Sequence, residues 1–189
     1  RQAIAADYGN RFGVDIAAER VVITPGSSGA LQLVMSVLIN PGEEVLLTDP
    51  GYPCNRHFVE LVGGNPVSLN VNPSDNYCPT IRQLENAWNS NTHALMLASP
   101  SNPTGSVINR ETLQELLDFV RSRGGILIID EIYQGLIYEG ENFSALEFGD
   151  DLVVINSFSK YFGMTGWRLG WAVAPEWMVD PMDRLAQNI

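Results

Sequence analysis

Lysine is nearly missing from this chain. Of eleven basic residues among 189, ten are arginine and Lys160 is the only lysine. Cysteine is scarce as well: Cys54 and Cys78 are too few for a disulfide framework and have no metal-ligand spacing, which suits a reducing, cytoplasmic setting. The two histidines, His57 and His93, also stand in no ligand spacing and are read as structural, so no metal site is expected. No apolar run approaches the roughly 20 residues that a membrane helix needs, and no signal peptide precedes the first segment. Basic charge is outnumbered, 11 residues against 22 acidic, for a formal net charge of −11. A surface of that sign repels phosphate backbones and anionic bilayers, which argues against nucleic-acid and membrane partners.

What is present is ordinary globular material. Hydrophobic residues reach 45% and charged residues 17%, enough apolar surface for a core and too much for intrinsic disorder. The length corresponds to one domain, or one domain with a fragment. The chain begins at Arg1 in mid-pattern and ends at Ile189 inside what reads as a helix, so a piece of a longer protein is expected. Apolar runs at 21–24, 44–48, 66–69, 94–98, 126–129, 153–155 and 169–174 read as strands. Helical patterns span 28–39, 54–62, 80–88 and 110–123, several closed by Gly pairs or Asn-Pro-Gly. This alternation predicts βαβ units: a three-layer α/β/α fold with a mostly parallel central sheet and ligands at the carboxyl ends of its strands.

The polar clusters fall at those ends. Pro25-Gly26-Ser27-Ser28-Gly29 joins a strand to an apolar helix, where free N–H groups and the helix dipole favour an anion; a plain turn with a Ser cap would look similar. Asp49-Pro50-Gly51-Tyr52-Pro53 holds Tyr52 between prolines, placed to offer an aromatic face to a flat ligand or simply to pack. Ser99-Pro100-Ser101-Asn102-Pro103-Thr104-Gly105 brings the Asn102 amide to a strand end, either for a ligand or for its own turn. Asp130-Glu131-Ile132-Tyr133 puts a carboxylate directly after a buried run, where charge is costly without a cationic partner; a cap is the plainer use. Ser157-Phe158-Ser159-Lys160, with Arg168 eight residues on, has the parts of an amine nucleophile beside an anion clamp. Burial and a neighbouring cation would favour the neutral amine.

In combination and order, these five motifs resemble the class I/II aminotransferases of the aspartate-aminotransferase-like, fold-type I group. The resemblance extends through Gly166-Trp167-Arg168-Leu169-Gly170 and covers nearly the whole chain. It implies pyridoxal 5′-phosphate as cofactor and amino-acid and 2-oxo-acid substrates. Lys160 would form the Schiff base and shuttle the proton at Cα. Asp130 would keep the ring nitrogen protonated, while Asn102 and Tyr133 bond the phenolic oxygen and Tyr52 stacks on the ring. Gly26, Ser27, Ser28, Ser157, Ser159 and Arg168 would surround the phosphate. Lys160, Asp130 and Tyr133 are thus the expected catalytic residues.

The resemblance also implies a homodimer, and a large domain over residues 1–189 without the family's N-terminal arm and C-terminal small domain. Two alternatives share every motif: a lyase, decarboxylase or synthase of the same fold, and a non-catalytic cofactor-binding regulatory domain.

Overall fold

A computed structural model describes residues 1–188. Its centre is one sheet built from β1 (Val21–Thr24), β2 (Glu44–Asp49), β3 (Asn65–Asn70), β4 (Thr92–Ala98), β5 (Ile126–Asp130), β6 (Val153–Ser157) and β7 (Gly170–Val173). The strand order is β1-β7-β6-β5-β4-β2-β3. From β6 to β3 every pairing is parallel, whereas β7 runs antiparallel to both its neighbours. In β5, Leu127, Ile128 and Ile129 are all buried, as a strand covered on both sides requires.

The helices are α1 (Gln2–Phe12), α2 (Gly26–Leu38), α3 (Cys54–Leu61), α4 (Ile81–Ala87), α5 (Arg110–Ser122) and α6 (Glu176–Ala186). Alternation along the strands supplies two cores. On one face Leu46, Leu95, Leu127, Ile129 and Val154 pack with Tyr8, Leu84, Leu116 and Leu117 from α1, α4 and α5. On the other, Val45, Met96, Ile128 and Ile155 pack with Leu31, Val34, Val59 and Met178 from α2, α3 and α6. The outcome is the expected three-layer α/β/α fold. The helical pattern expected at Ile189 corresponds to α6 up to Ala186; Ile189 itself lies outside the described residues.

Two helices begin with their donors satisfied. In α4, Thr80 and Gln83 form a reciprocal capping box, and in α5 the Asn109 side chain accepts from the Thr112 N–H. Helix α2, like α1, α3 and α6, has no side-chain cap among the described residues, and Pro25 precedes it. Its first N–H groups remain available at the carboxyl end of β1.

Candidate active site

Strand direction gathers the site. β1, β2, β4, β5 and β6 are parallel, so the segments after them emerge along one edge. β7 runs the other way, with Gly170 opposite both Thr24 and Ser157, so the residues preceding it arrive at that same edge. This is how Arg168 comes beside the start of α2. A Cβ placed on Gly26 would lie 2.6 Å from Arg168 Nη2, and one on Gly170 would lie 2.5 Å from the Gly26 carbonyl carbon. Gly26 has φ of 78°, in the left-handed region that glycine tolerates. Both glycines therefore allow backbone and guanidinium to converge where a side chain would intrude.

A cavity of about 110 Å³ opens at this edge, lined by Ser27, Ser28, Tyr52, Asn102, Asp130, Tyr133 and Lys160 with Leu31, Ala98 and Ile132. Residues from five separate chain segments thus face one space. Gly26 and Arg168 adjoin it at the α2 terminus. Ser157 and Ser159 do not line it: Ser157 ends β6, Ser159 opens the 158–169 loop, both are buried, and Ser157 Oγ accepts from the Ser159 N–H at 3.1 Å. The same loop is tied by Thr165 Oγ1 donating to the Ser159 carbonyl at 2.6 Å and by Arg168 Nη1 donating to the Thr165 carbonyl at 3.3 Å.

The polar groups in the cavity are chemically unspent. Asp130 is only 7% exposed, yet the single hydrogen bond to its carboxylate among the described residues comes from the Ile132 N–H at 3.0 Å, and no cation pairs with it there. Burial pushes its carboxyl up to about 6, opposed only by that N–H. The 99–108 loop satisfies itself through Ser101 N–H to Ser106, Gly105 N–H to Ser101, and Ile108 N–H to Ser99 Oγ. The Asn102 amide is left without a partner among the described residues. The Lys160 side chain makes no ion pair or hydrogen bond there either; its Nζ stands 5.6 Å from the centre of the Tyr133 ring. The phenol of Tyr52 is raised above its ordinary range, first by the Cys54 side chain and then by burial.

Lys160 departs from expectation in one respect. Activation of the amine by desolvation would require a buried setting, whereas Lys160 is exposed. The reason is local: it sits on the 158–169 loop, after the buried strand β6 has ended, and reaches the cavity from there. The histidines behave as surface residues, His57 facing Glu60 and His93 facing Glu43. Two participants escape sequence reading. Gly170 is visible only as part of a motif, and Glu131, buried beside Asp130, offers no signal beyond its place in an acidic pair.

A family model described as aminotransferase class I and II matches residues 1–189. The chain is 38% identical over 190 residues to a valine–pyruvate aminotransferase of Mycobacterium tuberculosis, covering all of this chain and 49% of that protein. It is 37% identical to an aspartate aminotransferase of Sulfurisphaera tokodaii, covering all of this chain and 48% of that one. Among solved structures, an aminotransferase from Mycobacterium tuberculosis superposes with a TM-score of 0.94 at 38% identity, covering all of this chain and 52% of its own. The chain spans about half the length of the curated relatives it matches.

Proposed function

The chain belongs to the class I and II aminotransferases, a family dependent on pyridoxal 5′-phosphate, and from that premise we propose that residues 1–189 form the cofactor-binding large domain of an aminotransferase. The reaction is transfer of an amino group between an amino acid and a 2-oxo acid. The observation that carries this reading is Asp130: a buried carboxylate facing the cavity with no cation among the described residues to balance it. A protonated pyridine nitrogen is the complement such a group lacks.

Three features support the fit. The uncapped start of α2 supplies backbone donors, Ser27 and Ser28 add hydroxyls, and Arg168 lies against Gly26, a donor set suited to a phosphate dianion. Asn102 and Tyr133 bring polar groups to the wall beside Asp130, and Tyr52 supplies an aromatic face. Lys160 supplies the one primary amine of a side chain. Bound there, the cofactor supplies an electron-withdrawing ring that stabilises negative charge at the substrate Cα. Asp130 would hold the proton on the ring nitrogen. Lys160 Nζ would be the attachment point and, as a free amine, the base that moves the proton at the substrate Cα. Asn102 and Tyr133 would bond the phenolic oxygen of the ring, and Tyr52 would stack on it. Ser157 and Ser159 would act on the phosphate end only indirectly, by bracing the start of the loop that carries Lys160.

The assembly we propose is a homodimer. Tyr161, Phe162 and Trp167, the last 76% exposed, form an apolar surface on the Lys160 loop that a second copy would cover. A cytoplasmic location agrees with two cysteines that form no disulfide. No helix among the described residues is long and apolar enough to cross a membrane. The test of the reaction is a half-transamination. Loaded protein is mixed with single amino acids, and conversion of the pyridoxal to the pyridoxamine spectrum is followed together with release of the matching 2-oxo acid. Elimination or decarboxylation products without oxo acid would overturn the assignment.

A further inference from the structure

Asp130 and Glu131 are consecutive, and alternation at the end of β5 sends them to different places. Asp130 lines the cofactor cavity, whereas Glu131 lines a small cavity among Ser99, Leu113, Ile129, Phe143 and Ala145. Glu131 is 1% exposed and, unlike Asp130, fully engaged. Its Oε1 accepts from the Ala145 N–H at 2.7 Å, and the Ser144 hydroxyl lies 3.1 Å and 3.0 Å from its two oxygens. Nearby, Gln134 Nε2 donates to the Phe143 carbonyl. The chain between these bonds, residues 132–143, leaves the sheet edge and returns to it, a loop closed at its base by side chains.

That loop carries Tyr133 into the cofactor cavity. Its Leu136, Ile137, Tyr138 and Glu139 also form one wall of a larger cleft of about 560 Å³, whose other wall is the 100–107 segment. Asn102 and Tyr133 belong to both spaces. We propose that Glu131 is a positioning residue for this site: by holding Ser144 and Ala145 it closes the base of the 132–143 loop and so fixes where Tyr133 stands. Tyr133's role toward the cofactor rests on the function proposed above; the clamp does not. Burial pushes the Glu131 carboxyl up to about 8, opposed first by the Ala145 N–H and the Ser144 hydroxyl, with Asp130 adding to the shift and Arg11 opposing it. Glutamine, neutral and of the same shape, is therefore its closest mimic: it accepts from the Ala145 N–H and donates to Ser144.

The experiment compares Glu131→Ala and Glu131→Gln in the intact protein labelled with 3-fluorotyrosine, the Tyr133 signal being assigned with Tyr133→Phe. Fluorine NMR reads the Tyr133 environment, and amide hydrogen exchange reads the hydrogen-bonded Gln134 and Leu136 N–H groups of the loop. Alanine should speed exchange at the Gln134 and Leu136 amides about tenfold and move the Tyr133 signal while leaving that of the distant Tyr77 in place; glutamine should restore both. In protein loaded with pyridoxal phosphate, the pH midpoint of the visible band should shift in the alanine variant and return in the glutamine variant. Faster exchange with an unmoved Tyr133 signal would overturn the proposal, as would a glutamine variant that behaves like alanine. If Glu131→Ala does not fold, Ser144→Ala removes the hydroxyl but keeps the Ala145 N–H, and it should produce the same changes in part; an unmoved Tyr133 signal there would also overturn the clamp. A parent protein that binds no cofactor would sink the functional reading alone, because the fluorine and exchange results still decide the clamp.

Discussion

The two ends of the sheet handle polar groups in opposite ways. At the amino ends of β2 and β4 they satisfy one another. Glu44 accepts from Asn89 Nδ2 at 2.8 Å and Thr92 Oγ1 at 3.1 Å, Glu43 accepts from the Asn40 backbone at 2.7 Å and side chain at 3.0 Å, and His93 approaches Glu43. Those contacts hold the Glu43 carboxyl below its ordinary range although burial works the other way. At the carboxyl ends, Asp130 lacks a cation, and Asn102 and Lys160 lack side-chain partners among the described residues. One end closes its hydrogen bonds for stability. The other keeps them open, and at the buried Asp130 that is a cost a ligand would offset.

That contrast is open to attack by substitution. The largest effect belongs to Lys160→Arg, which keeps the charge but not the nucleophile: turnover by the loaded enzyme should fall by about a thousandfold or more. Because Lys160 is exposed, thermal stability should move by no more than about 0.5 kcal/mol. Next comes Asp130→Asn, with steady-state transamination down about a hundredfold. Its stability should change in the opposite sense. The folded carboxyl is raised to about 6 from 3.8, so the native state binds the proton more tightly than the unfolded chain, and stability is lost as pH rises from 3.8 through 6. Asparagine removes that loss, and chemical denaturation at pH 7 without cofactor should show a gain of about 3 kcal/mol.

Smaller effects sharpen the same division. Gly26→Ala sets a Cβ against Arg168 at a positive φ, and it should weaken pyridoxal phosphate binding about tenfold while costing about 1–2 kcal/mol of stability. At the paired end, Glu44→Ala should cost about 1 kcal/mol in denaturant unfolding and leave cofactor Kd unchanged. A cofactor effect from Glu44→Ala, or an Asp130→Asn variant that loses stability yet binds cofactor normally, would dissolve the distinction between the two ends.

Much of this arrangement is legible in the chain itself, because local signals carry it. Continuous apolar runs mark β5 and β6, and Gly and Pro mark the turns after them, so the polar clusters can be placed at strand ends before any coordinates. Three features escape for physical reasons. Helix α1 carries little local signal, since Gly9 and Asn10 weaken its propensity, while Ile4 and Tyr8, one turn apart, are what bury it. The reversed direction of β7 depends on its connection: the 158–169 segment holds no crossover helix long enough to return a parallel strand. Exposure of Lys160 follows from its place on that same segment, beyond the end of the buried β6, which strand patterning does not encode.

The most direct test of the central claim is a titration of the protein with pyridoxal phosphate, followed by borohydride reduction and peptide mass mapping. The expected result is a saturable visible band and, after reduction, one modified side chain, Lys160, with the band lost in Lys160→Ala and weakened in Asp130→Asn. A band that survives Lys160→Ala, or saturable binding unaffected by Asp130→Asn, would contradict it.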